Sequence, residues 1–292
     1  MASTDLTKTP DDVLPPGATN VEDDLEAFET EERRSKLKLM AARITLAIVL
    51  LALWEYGTDR WFDALWFSSP LRVARHFIVW VQDDLLSHLV ITLRECFIGY
   101  TIGTLAGIFV GALLARFDFL GKVLDPFILA LNGIPRIALA PLFIIWFGIG
   151  EPSKIVLAGM LSFFLCFYAT LSGLRSVDPA YLSIARVMGA NDRQTFFKVV
   201  LPAASPWILT AMKVSVPFAL VGAIVGEFMA ATAGLGFKIQ LYTAQFDTTG
   251  AVTGVLILMC VVIAFNTALN RLEAYTLRWR PKTAAGFGSE MQ

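Results

Sequence analysis

Charge is scarce in this sequence, and the places where it interrupts apolar runs are the places where chemistry can sit. Residues 182–208, LSIARVMGANDRQTFFKVVLPAASPWI, form the longest such interruption past the first hundred residues. Arg186, Asp192, Arg193 and Lys198 break the run, the small pair Gly189-Ala190 lies among them, and Leu201-Pro202 restarts the hydrophobic pattern. These side chains offer a grip through which a partner could drive the chain, and no nucleophile with its base. A second group is Asn132-Gly133-Ile134-Pro135-Arg136, where a cation stands beside a break in an apolar segment. Charge in such a setting is costly and marks a pathway or an internal pair. Arg136 would suit a small anion, or else an ion pair with Glu227 or Glu95. Lys213 either lines the same cavity or reaches for the interface.

Most other chemistry is excluded. No GxxxxGK[ST] loop occurs, so the chain holds no nucleotide through a P-loop of its own, and HExxH, GxSxG and paired thiolates are absent as well. Cys96, Cys166 and Cys260 lie far apart in apolar runs, as small buried hydrophobes do, and His76 and His88 have no ligand spacing around them. Catalysis, a metal site and a cofactor bound by this chain are not expected. A net charge of −1 gives nucleic acid nothing to hold.

Hydrophobic residues make up 56% of the 292, only 17% are charged, and the mean hydropathy is +0.62, which is too apolar for an ordinary soluble domain. The pattern predicts an all-α polytopic membrane protein with six transmembrane helices, near 39–56, 91–114, 124–147, 155–174, 202–230 and 252–268. Residues 1–38 form a polar tail with Pro15-Pro16-Gly17 and the acids Glu22, Asp23, Asp24 and Glu26. Such a tail cannot bury enough apolar surface to offset chain entropy and is expected to be disordered or loosely helical. Residues 39–85 hold the first span and an external amphipathic segment with Leu71, Ala74, Phe77, Ile78 and Val81 on one face. Residues 86–277 make a five-helix core containing the charged loop, at about 177–201, and 278–292 are a second polar tail.

Within that core Pro135 breaks the third span, which is tolerated at membrane depth only against protein or a watery cavity. Gly99, Gly103, Gly107 and Gly111 recur every four residues of the second span and form one face suited to close helix contact. Arg33, Arg34, Lys36 and Lys38 abut the first span, while Arg271, Arg278, Arg280 and Lys282 follow the last. With both flanks and the central loop on one side, most of the 24 Lys and Arg lie there too. The positive-inside rule then puts both termini and the loop in the cytoplasm.

The loop also resembles a known motif. Permeases of binding-protein-dependent ABC importers carry a cytoplasmic signature: Glu-Ala-Ala, three residues, Gly, nine residues, then Ile, any residue, Leu-Pro. Here Gly189 is followed after nine residues by Val199, Val200, Leu201 and Pro202, and Ala185 stands in the place of the second Ala. Ser183 and Ile184 replace the Glu and the first Ala. The stretch from Gly133 to Gly150 with Glu151 and Lys154, together with Gly226-Glu227 and Gly234-Leu-Gly236, is similar to the nitrate, sulfonate and taurine branch of that family.

The resemblance implies a MetI-like membrane domain, paired with a second permease copy in a bacterial inner membrane. A dimer of separate ATPase subunits would use ATP and Mg, and an external substrate-binding protein would set most of the selectivity. The loop residues Ala185, Arg186, Gly189, Ala190, Val199, Leu201 and Pro202 would form two short helices. One of these would dock on the ATPase, and Leu201-Pro202 would end the second and begin the fifth span. Asn132, Pro135, Arg136 and Glu227 are the candidates for the translocation pathway. Among cargoes small oxyanions such as sulfonates, taurine or nitrate lead, with a vitamin or pyrimidine precursor as the alternative. A secondary transporter would carry more spans, an inverted repeat and intramembrane acids for ion coupling; a membrane enzyme or scaffold would carry a polar cluster at one interface.

Overall fold

A backbone in hydrocarbon has no water to satisfy its N–H and C=O groups, so long apolar runs fold as helices that satisfy themselves. The computed structural model describes residues 21–58, 60 and 66–276, and these are built on eleven α-helices. They fall into two compact units divided after Asp63. The first contains α1, Val21–Gly57. The second contains α2 (Pro70–Gln82), α3 (Leu85–Arg116), α4 (Asp118–Asn132), α5 (Ala140–Phe147), α6 (Glu151–Arg175), α7 (Pro179–Val187), α8 (Asp192–Thr195), α9 (Leu201–Ala230), α10 (Leu235–Ala244) and α11 (Thr248–Thr276). Because α1 begins at Val21, residues 21–38 take the helical alternative of the two expected for the tail. That segment is rich in Glu, Lys, Arg and Leu, has no Gly or Pro, and so favours helix despite its polarity. Residues 1–20 and the tail 278–292 lie outside the described residues.

Among the described residues five helices are long and apolar enough to cross a membrane: Arg33–Gly57 within α1, Leu85–Arg116, Glu151–Arg175, Asp192–Ala230 and Thr248–Arg271. The third expected span is not a single helix. It is α4, then an extended Pro135 (φ −69°, ψ 95°), a 3-10 turn over Arg136–Leu139, and α5. The pyrrolidine ring disfavours helical geometry at the residue before it, which fixes the break at that place.

Helix α6 lies at the centre of the second unit, between α3 and α9. Along α3 the four glycines meet the α6 backbone directly. A β-carbon at Gly99 would stand 2.6 Å from the Ile155 carbonyl oxygen, one at Gly111 would stand 2.8 Å from that of Phe167, and at Gly103 and Gly107 the clash with Gly159 and Phe163 is closer still. On the other side of α6, a β-carbon at Gly222 of α9 would lie 2.7 Å from Ala158 Cα. Ala158 and Cys166 are fully buried in this sandwich. Helix α2 packs Val73 and Trp80 inward, and Trp80, His76 and Tyr242 of α10 meet edge to face, with the Trp80 and Tyr242 rings 5.5 Å apart. The expected stripe is not the face it buries: Leu71, Phe77, Ile78 and Val81 are exposed, and the core contacts come from Val73 and Trp80.

Gly103→Val should lower the melting temperature of the purified protein sharply and cut its yield in the membrane, because no side-chain motion can clear a backbone carbonyl. Gly150→Ala, whose β-carbon would meet only Pro152 Cδ at 3.5 Å, should be close to neutral in the same thermal assay.

Candidate functional site

The close α3–α6 approach puts two charged groups in contact inside the protein. Lys154 Nζ lies 2.9 Å from Glu95 Oε1, with Glu95 fully buried and Lys154 only 5% exposed. Removal of charge from water is costly, and the pair offsets part of that cost. Gly226 of α9 leaves room for the lysine stem, since a β-carbon there would come within 2.8 Å of Lys154 Cγ. Near the surface, Arg94 pairs with Glu151 at the start of α6.

The residue after Gly226 in α9, Glu227, is fully buried. It accepts a hydrogen bond from Thr92 Oγ1 at 2.6 Å and another from the Gly236 N–H at 2.5 Å, while the Leu235 N–H donates to Thr92 Oγ1 at 2.8 Å. Gly236 and Leu235 open α10, where the first N–H groups have no partner within the helix and the helix dipole favours an anion. Gly234, at φ +117°, donates its N–H to His88 Nδ1 at 2.9 Å. With Nδ1 accepting, Nε2 of His88 is the donor to Asp84 Oδ2, 3.1 Å away. Asp84 also accepts from the Trp80 indole at 2.9 Å and pairs with Lys238. Burial alone would raise the Asp84 carboxyl, but hydrogen bonds from Lys238, His88 and Trp80 outweigh it and hold the group below its usual range. The result is a clasp joining α2, α3, α9 and α10. A side chain at Gly234 or Gly236 would strike the Glu227 carboxylate.

Glu227, expected on the pathway, therefore sits inside this clasp with both oxygens engaged. Of its partners, Gly234 and Gly236 stood out in the sequence as a motif; Thr92, His88, Asp84 and Lys238 carried no periodic or spacing signal. Arg136 opens the 3-10 turn after Pro135, half buried, with its guanidinium carbon 4.5 Å above the Phe164 ring of α6. Tyr168, one turn along α6, donates to the Ile128 carbonyl at 2.8 Å and ties the last turns of α4 to the core. Asn132 is the final residue of α4. The carboxylates considered as partners for Arg136 are held by other groups: Glu95 by Lys154, and Glu227 by Thr92 and Gly236.

At the opposite ends of α6 and α9 lies the charged loop. Helix α7 is capped at its start by Asp178, whose side chain accepts from the Ala180 N–H at 2.8 Å. It ends in a Schellman motif: the Ala190 N–H donates to the Ala185 carbonyl at 3.0 Å and the Gly189 N–H to that of Arg186 at 2.9 Å. Gly189 stands at φ +78°, which a residue with a β-carbon resists. Asn191 and Gln194 then form a reciprocal capping box that starts α8. So Ala185, Arg186, Gly189 and Ala190 belong to one turn. The expected division at Leu201-Pro202 is absent. Residues Phe196–Val200 form a π turn in which the Leu201 N–H reaches back to Phe196, and the helix runs unbroken into α9. Widening the turn just ahead of Pro202 accommodates a ring that would otherwise strike the carbonyl four residues back.

A broken span beside a tight helical core, with a small helical loop at one end, is an architecture suited to a membrane-transport subunit. Residues 103–279 match the family described as "Binding-protein-dependent transport system inner membrane component", and the chain belongs to it, as the permease of an ABC importer. The family works with a separate ATPase and a substrate-binding protein. The chain is 32% identical to the formylaminopyrimidine transport permease protein ThiX of Halalkalibacterium halodurans, over 80% of this chain and 94% of that one. It is also 32% identical to the putative aliphatic sulfonates transport permease protein SsuC of Bacillus subtilis, over 81% and 87% of the two chains. Among solved structures, the inward-facing MetNI methionine ABC transporter shares the fold, with a TM-score of 0.57 at 23% identity over 64% of this chain and 94% of that one.

Lys154→Ala should destabilise the protein by about 3–5 kcal/mol, because it strands a buried carboxylate. The paired change Lys154→Met with Glu95→Leu should recover most of that loss in the same denaturation measurement. If the double variant is as unstable as the single one, the pair does not explain the burial.

Proposed function

We propose that this permease moves a small organic anion of the sulfonate class across the cytoplasmic membrane by alternating access, as one of two identical copies, with α7 and α8 docked on the ATPase. The docking reading is carried by the face of α7. Val187 is 89% exposed and Met188 81% exposed, and Ile184 and Tyr181 continue the same apolar stripe one and two turns earlier. Large apolar side chains outside the hydrocarbon, grouped on one face, mark a protein partner. The flanking cations Arg186, Arg193 and Lys198 fit a cytoplasmic position under the positive-inside rule, which places the clasp of Glu227 on the outer side.

The anion reading rests on Arg136. A guanidinium beside a helix break, on the aromatic face of Phe164, can meet an oxyanion with two parallel donors once cargo enters. Pro135 and Asn132 shape the same break. The relative named for formylaminopyrimidine transport, as similar overall as the sulfonate one, favours a second reading in which an aromatic heterocycle is carried past the same residues. Such a cargo would use the Phe164 face more than the charge of Arg136.

Gly189→Asp should leave membrane insertion intact and abolish stimulation of the partner ATPase, since it strains the turn that sets α7 against α8. Met188→Asp, which leaves the backbone alone, should weaken the same stimulation at least tenfold; normal coupling in both variants would remove the docking assignment. In proteoliposomes with the ATPase and the binding protein, uptake of a labelled alkanesulfonate is expected, with Arg136→Gln slowing it at least tenfold. Uptake of the pyrimidine and not of the sulfonate would replace the anion reading with the second one.

A further inference from the structure

Beside the loop, α3 and the π turn enclose a groove of about 650 Å³ that the transport reading leaves unused. One wall is the α3 face of Leu105, Phe109 and Ala112; the other is the π turn, through Phe197. Leu105, Phe109 and Phe197 are 62%, 67% and 56% exposed. Two guanidiniums, Arg116 and Arg193, stand at one end and nowhere else along it. Arg193 and Lys198 also line an adjoining recess, so the positive end extends past the groove. Arg193 and Lys198 make no ion pair among the described residues. The acid beside Arg116 is Asp192, 3.6 Å away and 87% exposed, too well solvated to neutralise the mouth.

The dimensions are those of one lipid. From Leu105 to Arg116 α3 advances eleven residues, about 16 Å at 1.5 Å each. One leaflet contributes about 15 Å of hydrocarbon, half of a core roughly 30 Å thick. Arg116 ends a span, so its charge falls at headgroup level while Leu105 and Phe109 face the acyl region. Basic pockets between spans on the cytoplasmic side are suited to anionic headgroups.

We infer that this groove is a binding site for an anionic phospholipid, with the phosphate held by Arg116 and Arg193 and an acyl chain laid along Leu105 and Phe109. That the site lies in the cytoplasmic leaflet follows from the orientation proposed above; binding itself does not depend on it. The lipid bridges α3 and the segment that leads into α9, and so braces the docking loop against the membrane.

The test is native mass spectrometry of the full-length permease, purified in detergent and titrated with dioleoylphosphatidylglycerol or with dioleoylphosphatidylcholine. The parent should retain the glycerol lipid preferentially. Arg116→Gln with Arg193→Gln should lose roughly thirtyfold of that preference, as expected for two cations at about 1 kcal/mol per charge near a membrane surface. Arg271→Gln, a cation away from the groove, should keep it. Ala112→Trp fills the groove without removing charge and should lower retention of both lipids, with monodispersity and melting temperature showing that each variant is folded. Equal retention of the two lipids by the parent, or an unchanged preference in the double arginine variant, would overturn the site. So would efficient copy-to-copy cross-linking through Phe109→Cys in native membranes, which would show that protein covers the groove. None of these outcomes depends on sulfonate uptake or ATPase coupling.

Discussion

Helices α3 and α6 approach until the backbone of one meets the backbone of the other, and most of the second unit depends on that distance. In lipid, helices gain nothing by hiding apolar surface from each other, so association rests on close van der Waals contact and on polar groups that need partners. The glycine face supplies the first. The second follows from it: Glu95 reaches Lys154 at 2.9 Å only because Gly99 and Gly103 let Ile155 and Gly159 come so near. Helix α9 then closes on the other side of α6 through Gly222 and Gly226, and the latter makes the space in which the Lys154 stem lies.

The two ends of this core are built on different principles. At the Glu227 end, side chains of four helices are joined through hydrogen bonds between residues remote in sequence, as with Thr92 to Glu227 and Gly234 to His88. At the loop end nearly everything is local. The Schellman turn at Gly189, the Asp178 cap and the Asn191–Gln194 box each close within six residues. A local motif keeps its shape when it is moved, whereas a clasp of remote residues must open or stay shut. The first suits a part that is pushed and the second a part that gates.

Much of this was legible in the sequence because it is periodic. The four-residue spacing of Gly99, Gly103, Gly107 and Gly111 announced one helix face, and Pro135 announced a break, since both act through the backbone. Gly189 was legible for the same reason. The clasp was not, because Thr92 and His88 reach it only after α3 and α10 are brought together, and no spacing along the chain encodes that encounter. Pro202 misled in the opposite direction: a proline ordinarily ends a helix, but the π turn before it absorbs the ring and keeps the helix whole. Composition left the polar tail open between disorder and helix, because residues 21–38 are poor at building a core yet are good helix formers.

That unbroken helix links the two ends. From Asp192 to Ala230 it runs 39 residues, about 58 Å at 1.5 Å per residue, with α8 at one end and Glu227 close to the other. A straight rod of that length would convert any tilt of the loop into a displacement of the Glu227 carboxylate, and that carboxylate already holds the first turn of α10. Yet α9 also contains Pro206 and Pro217, and the π turn precedes it; these are the places where a helix bends. The glycine contacts at Gly222 and Gly226 lie beyond both prolines and pin the far segment to α6. Movement entering at α8 would therefore be divided: bending at the π turn and at Pro206 and Pro217 would take up part of it, and only the remainder would reach the Glu227 clasp.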